Sequence, residues 1–204
     1  FSEYAKGAGV QPIIGCQVDV AFAEGEPGEK AKPPAPIVLL AQNEQGYEHL
    51  MKLNSCLYID KHGALPQVTV EELERYSAGL ICLTGGALGP IGRMITEHHK
   101  PQARALLQRL KEIERPFVEW AYDLGLPLVA TNDVYFPKAE MYEAHDALIC
   151  IAEGAYVDQS EPRRRLTDQH YFKSPAEMAA LFADLPEAIE NTVEIAKRCA
   201  FKAY

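Results

Sequence analysis

The chain has 204 residues, 48% hydrophobic and 24% charged. That is an ordinary globular composition, and a chain this long can bury a core without a disulfide or zinc staple. Acidic side chains outnumber basic ones 29 to 20, a formal net charge of −9, which argues against bare electrostatic attachment to nucleic acid or an anionic membrane. No apolar run approaches the roughly 18 residues of a membrane span, and the first residues lack the charge and apolar stretch of a signal peptide. These features point to a soluble, cytoplasmic domain.

In chain order, Phe1–Gly9 reads as the end of a helix closed by Gly9. With no methionine at the start and a helical pattern at the end, the chain reads as a piece of a longer protein. Val10–Val20 carries strand chemistry, with alternation from Gln17 onward. Glu24–Pro36 is rich in Pro, Gly, Glu and Lys and reads as a solvated loop. Pro36–Ala41 reads as a buried strand, and the Asn43–Gly46 turn opens a helix with Tyr47, Leu50, Met51 and Leu53 near helical spacing. Thr69–Glu72 is a capping-box pattern for a short helix through Tyr76.

Gly79–Thr84 reads as another buried strand, entering the turn Gly85–Gly89. Helices are expected around Ala105–Ile113 and Phe117–Leu124, the second ended by Gly125. A strand follows at Leu126–Thr131, and then helices at Ala139–Ala152, Pro175–Phe182 and Pro186–Cys199. Strands alternating with helices predict an α/β fold with a mainly parallel sheet.

Ligands gather where the strands of such sheets run into loops. Gln17, the turn Thr84-Gly85-Gly86 and the stretch Asn132–Tyr135 occupy such places. Asp133 can be read as a metal ligand or general base, or as a loop residue bonding to the backbone. The Gly85–Gly89 turn lacks the Lys-Ser/Thr ending of a phosphate-binding loop, so a strand-to-helix turn needing glycine freedom fits it better. Cys16, Cys82 and Cys150 lie in apolar strings and read as core residues, without a CxxC pair among the five cysteines. The pair His98-His99 reads as exposed, and His145 as a helical surface or capping residue. His49, His62 and His170 have no second ligand at metal spacing. Arg163-Arg164-Arg165, flanked by acids, reads as a solvated loop or a docking contact.

The strings IIGCQVDV, IVLLAQNEQGYEHLMKL, GLICLTGG, GLPLVATNDVYF, AHDALICI and LFADLPEAIENTVEIAKRC, in that order, resemble the N-terminal polymerase-and-histidinol-phosphatase (PHP) domain of the alpha subunits of bacterial DNA polymerase III. The resemblance implies a distorted parallel (β/α) barrel over residues 1–185, lacking its first strand and a central segment near Ile113–Arg115 in this fragment. It implies also that residues 186–204 form the helix joining the barrel to a polymerase palm.

The same resemblance puts the metal-site positions at Gln17, Gly86, Asp133 and Tyr135, where active members carry a glutamate, a cysteine, an aspartate and a histidine. Only Asp133 keeps a ligand type, so no metal is expected, with Asp133 the holder if there is one. The implied role is DNA-templated DNA synthesis by a parent chain that uses Mg2+ and carries its polymerase carboxylates beyond Tyr204. This segment is expected to be a degenerate scaffold with no catalytic residues of its own. Its implied partners are the palm, the epsilon proofreading exonuclease, other replisome subunits and, through the rest of the chain, primer-template DNA. No membrane is involved. The alternative is an active phosphoesterase or 3'-5' proofreading nuclease that binds zinc or manganese.

Overall fold

The computed structural model describes residues 1–21, 33–59, 65–90, 93, 118, 121–123, 125–159, 163 and 166–202. The helix expected at Ala105–Ile113, the joint near Ile113–Arg115, most of the Glu24–Pro36 loop, His62, His98-His99 and Arg164-Arg165 fall outside them. Two compact units emerge: Phe1–Leu126 with Glu194–Tyr204, and Pro127–Val193.

In the first unit, helix α1 (Ser2–Gly7) ends as its sequence predicts. Gly9 takes φ 74°, and the amides of Gly9 and Val10 donate to the carbonyls of Lys6 and Ala5. This pair of bonds caps carbonyls that the helix leaves unsatisfied. Strands β1 (Gly15–Ala21), β2 (Ala35–Ala41), β3 (Val68–Thr69) and β4 (Leu80–Leu83) form one sheet in the order β3-β1-β2-β4. Only β1–β3 is parallel; β1–β2 and β2–β4 are antiparallel. The expectation of a mainly parallel sheet is therefore corrected to a mixed, mostly antiparallel one, open along β3 and β4 among the described residues. A parallel β1–β2 pair would need a crossover helix, and the sequence between these two strands has no apolar helical period to supply it.

Side-chain alternation divides the sheet into two faces. Val18, Val20, Ile37, Leu39 and Val68 form one face and pack with Leu50, Leu53 and Leu57 of helix α2 (Glu44–Cys56) and its end. Asn43 caps α2 by accepting the Gly46 amide at 2.9 Å. The backbones of Gly46 and Gly79 meet so closely that a Cβ on Gly46 would lie 1.9 Å from the Gly79 carbonyl oxygen. Gly79 itself takes φ 76° and receives the Gln42 amide at 2.9 Å. Helix α3 (Val70–Arg75) carries the full capping box, Thr69 Oγ1 accepting from the Glu72 amide and the Glu72 carboxylate from the Thr69 amide. Of the apolar residues near helical spacing in α2, Leu50 and Leu53 are buried and Met51 is exposed. Strand β4, expected to be buried, is a half-buried edge, and Cys82 is exposed rather than a core thiol. An apolar string at a sheet edge has a neighbour on one side only, which its composition does not reveal.

The second unit begins with an irregular stretch where a strand was expected at Leu126–Thr131. Its backbone groups bond to a helix instead of a ladder: the Ala130 amide donates to the Ala188 carbonyl and Asn191 Nδ2 to the Leu128 carbonyl. Phe136 and Tyr171 make an isolated parallel bridge. Helix α4 (Tyr142–Glu153) ends at Gly154, φ 65°. Its buried Asp146 receives a bidentate grip from Arg163, Nη1–Oδ1 and Nη2–Oδ2 both at 2.7 Å, while Nη2 also donates to the Val157 carbonyl. Both side chains are over nine-tenths buried, and the hydrogen bond to Asp146 pushes the guanidinium pKa further up. Arg163 is thus an internal clamp and not part of a solvated run. Cys150 is buried beside it on α4, as expected.

Helix α5 (Pro175–Leu181) has a second capping box, between Ser174 and Glu177. Tyr171 donates its hydroxyl to the Glu177 carboxylate at 2.5 Å, and Lys173 stacks over the Tyr171 ring and donates to the Gln169 carbonyl. Helix α6 (Pro186–Arg198) follows, its residues from Glu194 onward grouped with the first unit. No described helix is long and apolar enough to cross a membrane.

Replacing Gly46 by Ala is expected to cost ~3 kcal/mol by forcing α2 off Gly79. Leu53→Ala, at a fully buried site, should cost about 2–5 kcal/mol through the cavity it leaves. Urea unfolding of both variants checks these values. The Tyr171 hydroxyl and the Ser174 donors hold the Glu177 carboxyl at about 2, below its ordinary 4.5. Its contribution is therefore complete above the ordinary value and is lost as the pH falls through about 2. In Tyr171→Phe the Glu177 carboxyl should titrate at higher pH by NMR, and acid unfolding should begin earlier; an unchanged titration would show that the hydroxyl contributes nothing.

Candidate functional site

The four positions picked out from the sequence are divided between the units, Gln17 and Gly86 in the first, Asp133 and Tyr135 in the second. Gln17 stands on β1 in a lateral row with Val38 of β2 and, beyond it, Leu83 of β4. Because Val18 and Val20 take the side covered by α2, alternation sends Gln17 and Asp19 to the other face. Gln17 is exposed there, presenting a neutral amide.

Leu83 leads into the glycine turn. Gly85 has φ 75°, and a Cβ on it would lie 2.2 Å from the Pro36 carbonyl oxygen. Only glycine fits such a site. The Gly89 amide closes the turn on the Gly85 carbonyl at 3.0 Å, and the Arg93 amide reaches the Gly89 carbonyl at the same distance. This is the strand-to-helix turn expected from the sequence. Gly86 is different: φ is 57°, but a Cβ there would meet nothing within 4 Å. Its backbone is left-handed while the space beside it is open.

In the second unit, Asn132 is anchored by donating Nδ2 to the Tyr171 carbonyl at 2.8 Å. Asp133, next in line, is exposed. The Tyr135 amide donates to the His170 carbonyl at 2.9 Å, which sets the ring between two histidines. His145 and His170 each meet the Tyr135 ring edge-on, with centroids 5.9 and 5.8 Å away, and Phe136 adds a tilted contact to His145 at 5.4 Å. His170 Nδ1 lies 3.1 Å from the Thr167 amide and 3.0 Å from the Thr167 hydroxyl. His145 Nδ1 is buried without a hydrogen-bond partner.

From the sequence, His145 reads as a helical surface or capping residue and His170 as lacking a second ligand at metal spacing. Their common neighbour, Tyr135, lies 10 and 35 residues away, beyond the reach of any spacing rule. Among the described residues no three His, Cys, Asp or Glu side chains gather at metal-ligand spacing.

A model of the PHP domain matches residues 1–120. The chain is 44% identical, over its whole length, to the DNA polymerase III subunit alpha of Caulobacter vibrioides, of which it covers 20%. It is 40% identical over 98% of its length to the DNA polymerase III subunit alpha of Pseudomonas aeruginosa, covering 18% of that protein. Against the subunit of the same name from Borreliella burgdorferi the identity is 33%, over 98% of this chain and 19% of the relative. The chain thus spans about a fifth of the length of these relatives. It belongs to the PHP domain family, in a form similar along its whole length to part of the DNA polymerase III alpha subunit.

Proposed function

We propose that this chain is the N-terminal PHP segment of a replicative DNA polymerase and serves there as a catalytically degenerate scaffold. The observation that carries the reading is the set of groups at the family's metal positions. Gln17 offers a neutral amide, Gly86 no side chain and Tyr135 a phenol wedged between two imidazoles, and only Asp133 offers a carboxylate. A divalent ion gives up its hydration only for several charged or strongly basic donors together. These four do not fit that need. Without a held metal, no water is activated for phosphoester hydrolysis, and no step of that reaction is assigned to this chain.

DNA-templated synthesis would then be carried out by the remaining four-fifths of the parent chain, with its own Mg2+ and primer-template DNA, as the names of the relatives suggest. The distorted (β/α) barrel over residues 1–185 and the joining helix over 186–204 belong to the same proposal. So does docking of a separate proofreading exonuclease, since a polymerase segment without hydrolytic function needs proofreading from elsewhere. Loss of exonuclease binding when this segment is deleted from the parent chain supports that role, and retained affinity rejects it.

The test of degeneracy is metal content. The full-length protein, dialysed and measured by plasma mass spectrometry, should hold zinc and manganese well below one ion per chain. The triple variant Gln17→Glu, Gly86→Cys, Tyr135→His should retain more. A full complement of tightly held ions in the unsubstituted protein, with primer-end hydrolysis to match, would make it a working nuclease.

A further inference from the structure

Helix α4 buries an ion-paired carboxylate while leaving part of its apolar surface exposed. Its inward side carries Asp146, clamped by Arg163, and Cys150. Its outward side carries Ala144, Leu148 and Ile151, continued by Met141 in the turn before. Leu148 is 62% exposed, Ile151 78% and Met141 44%. A solvent-facing helix normally places its charges there. Here the positions from Met141 to Ile151 follow the 3-4-3 spacing of a helix–helix seam, with a small residue, Ala144, that lets a second backbone approach.

Charge says what kind of helix fits. Between Lys138 and Arg163 the chain carries Glu140, Glu143, Asp146, Glu153, Asp158 and Glu161 and no lysine or arginine. Asp146 is neutralised from within, and Glu140, Glu143, Glu153 and Asp158 are exposed around the ends of the seam. A second copy of α4 would bring like charges together at both ends. We infer that the outward face of α4 is a docking seam for an amphipathic helix of a partner protein, apolar at heptad spacing and bordered by lysine or arginine. The apolar seam supplies the affinity and the acidic ends select the partner. This does not depend on the degenerate-metal reading, because it rests on α4 alone.

The probe is a labelled synthetic helix with leucine at the two seam positions of each heptad and lysine beside them, titrated into the full-length protein by fluorescence anisotropy. Saturable binding is expected. Exchange of the lysines for glutamate, or the double substitution Leu148→Ser/Ile151→Ser, should each weaken it by about tenfold or more. The substituted residues are exposed, so circular dichroism and Tm of the double variant should match the unsubstituted protein. Three results overturn the inference: no saturable binding, unchanged binding by the double variant, or a dimer in light scattering that the double variant abolishes, which would make a second copy the occupant.

Discussion

The seat of α2 on the sheet governs much of the first unit. Gly46 and Gly79 meet backbone to backbone, and the same few residues carry the Asn43 cap and the Gln42-to-Gly79 hydrogen bond. The contact joins the start of a helix to the chain entering β4, so the helix and the far edge of the sheet share one anchor. With α2 held there, Leu50 and Leu53 lie on Val18, Val20, Ile37 and Leu39, and one face of the sheet is committed to the core. The face that bears Gln17 is decided by the same commitment. A one-residue slip of β1 would bury Gln17 and expose Val18.

The second unit is organised by polar contacts more than by a sheet. Its opening stretch is tied down by Asn132 and Asn191 and by the Ala130–Ala188 bond, and α4 is held by the Arg163 clamp. A buried ion pair of this kind adds little net stability compared with a well-packed apolar pair, but it tolerates few alternative arrangements. It thereby sets which side of α4 points inward. In the first unit apolar burial sets orientation; here an arginine takes part in it, and Leu148 and Ile151 of α4 are left outside.

That contrast explains what could be read from the sequence. Features that depend on neighbours in the chain were legible: the Gly9 and Gly125 terminations, the Asn43 cap, the Thr69–Glu72 box and the glycine turn after β4. Features that depend on distant partners were not. Leu126–Thr131 has the composition of a strand but meets a helix end, and LICL has the composition of a core strand but lies at an edge. Strand direction belongs with these: a helix between two strands implies parallel pairing only for the strands it directly connects, and the sequence between β1 and β2 has no helical period. The choice of Gln17, Gly86, Asp133 and Tyr135 rests on resemblance alone, while the histidines around Tyr135 and the Asp146–Arg163 pair carry no local signal at all.

Gly86 differs from the other glycines of its turn in what surrounds it. Gly85 and Gly89 are held as glycine by atoms that a side chain would strike, whereas beside Gly86 there is only open space. A side chain there would bear the ~1–2 kcal/mol of a left-handed backbone and no steric clash. Packing among the described residues therefore exerts no pressure to keep the position bare. A side chain could enter the turn here at the cost of backbone strain alone, without refitting any neighbour.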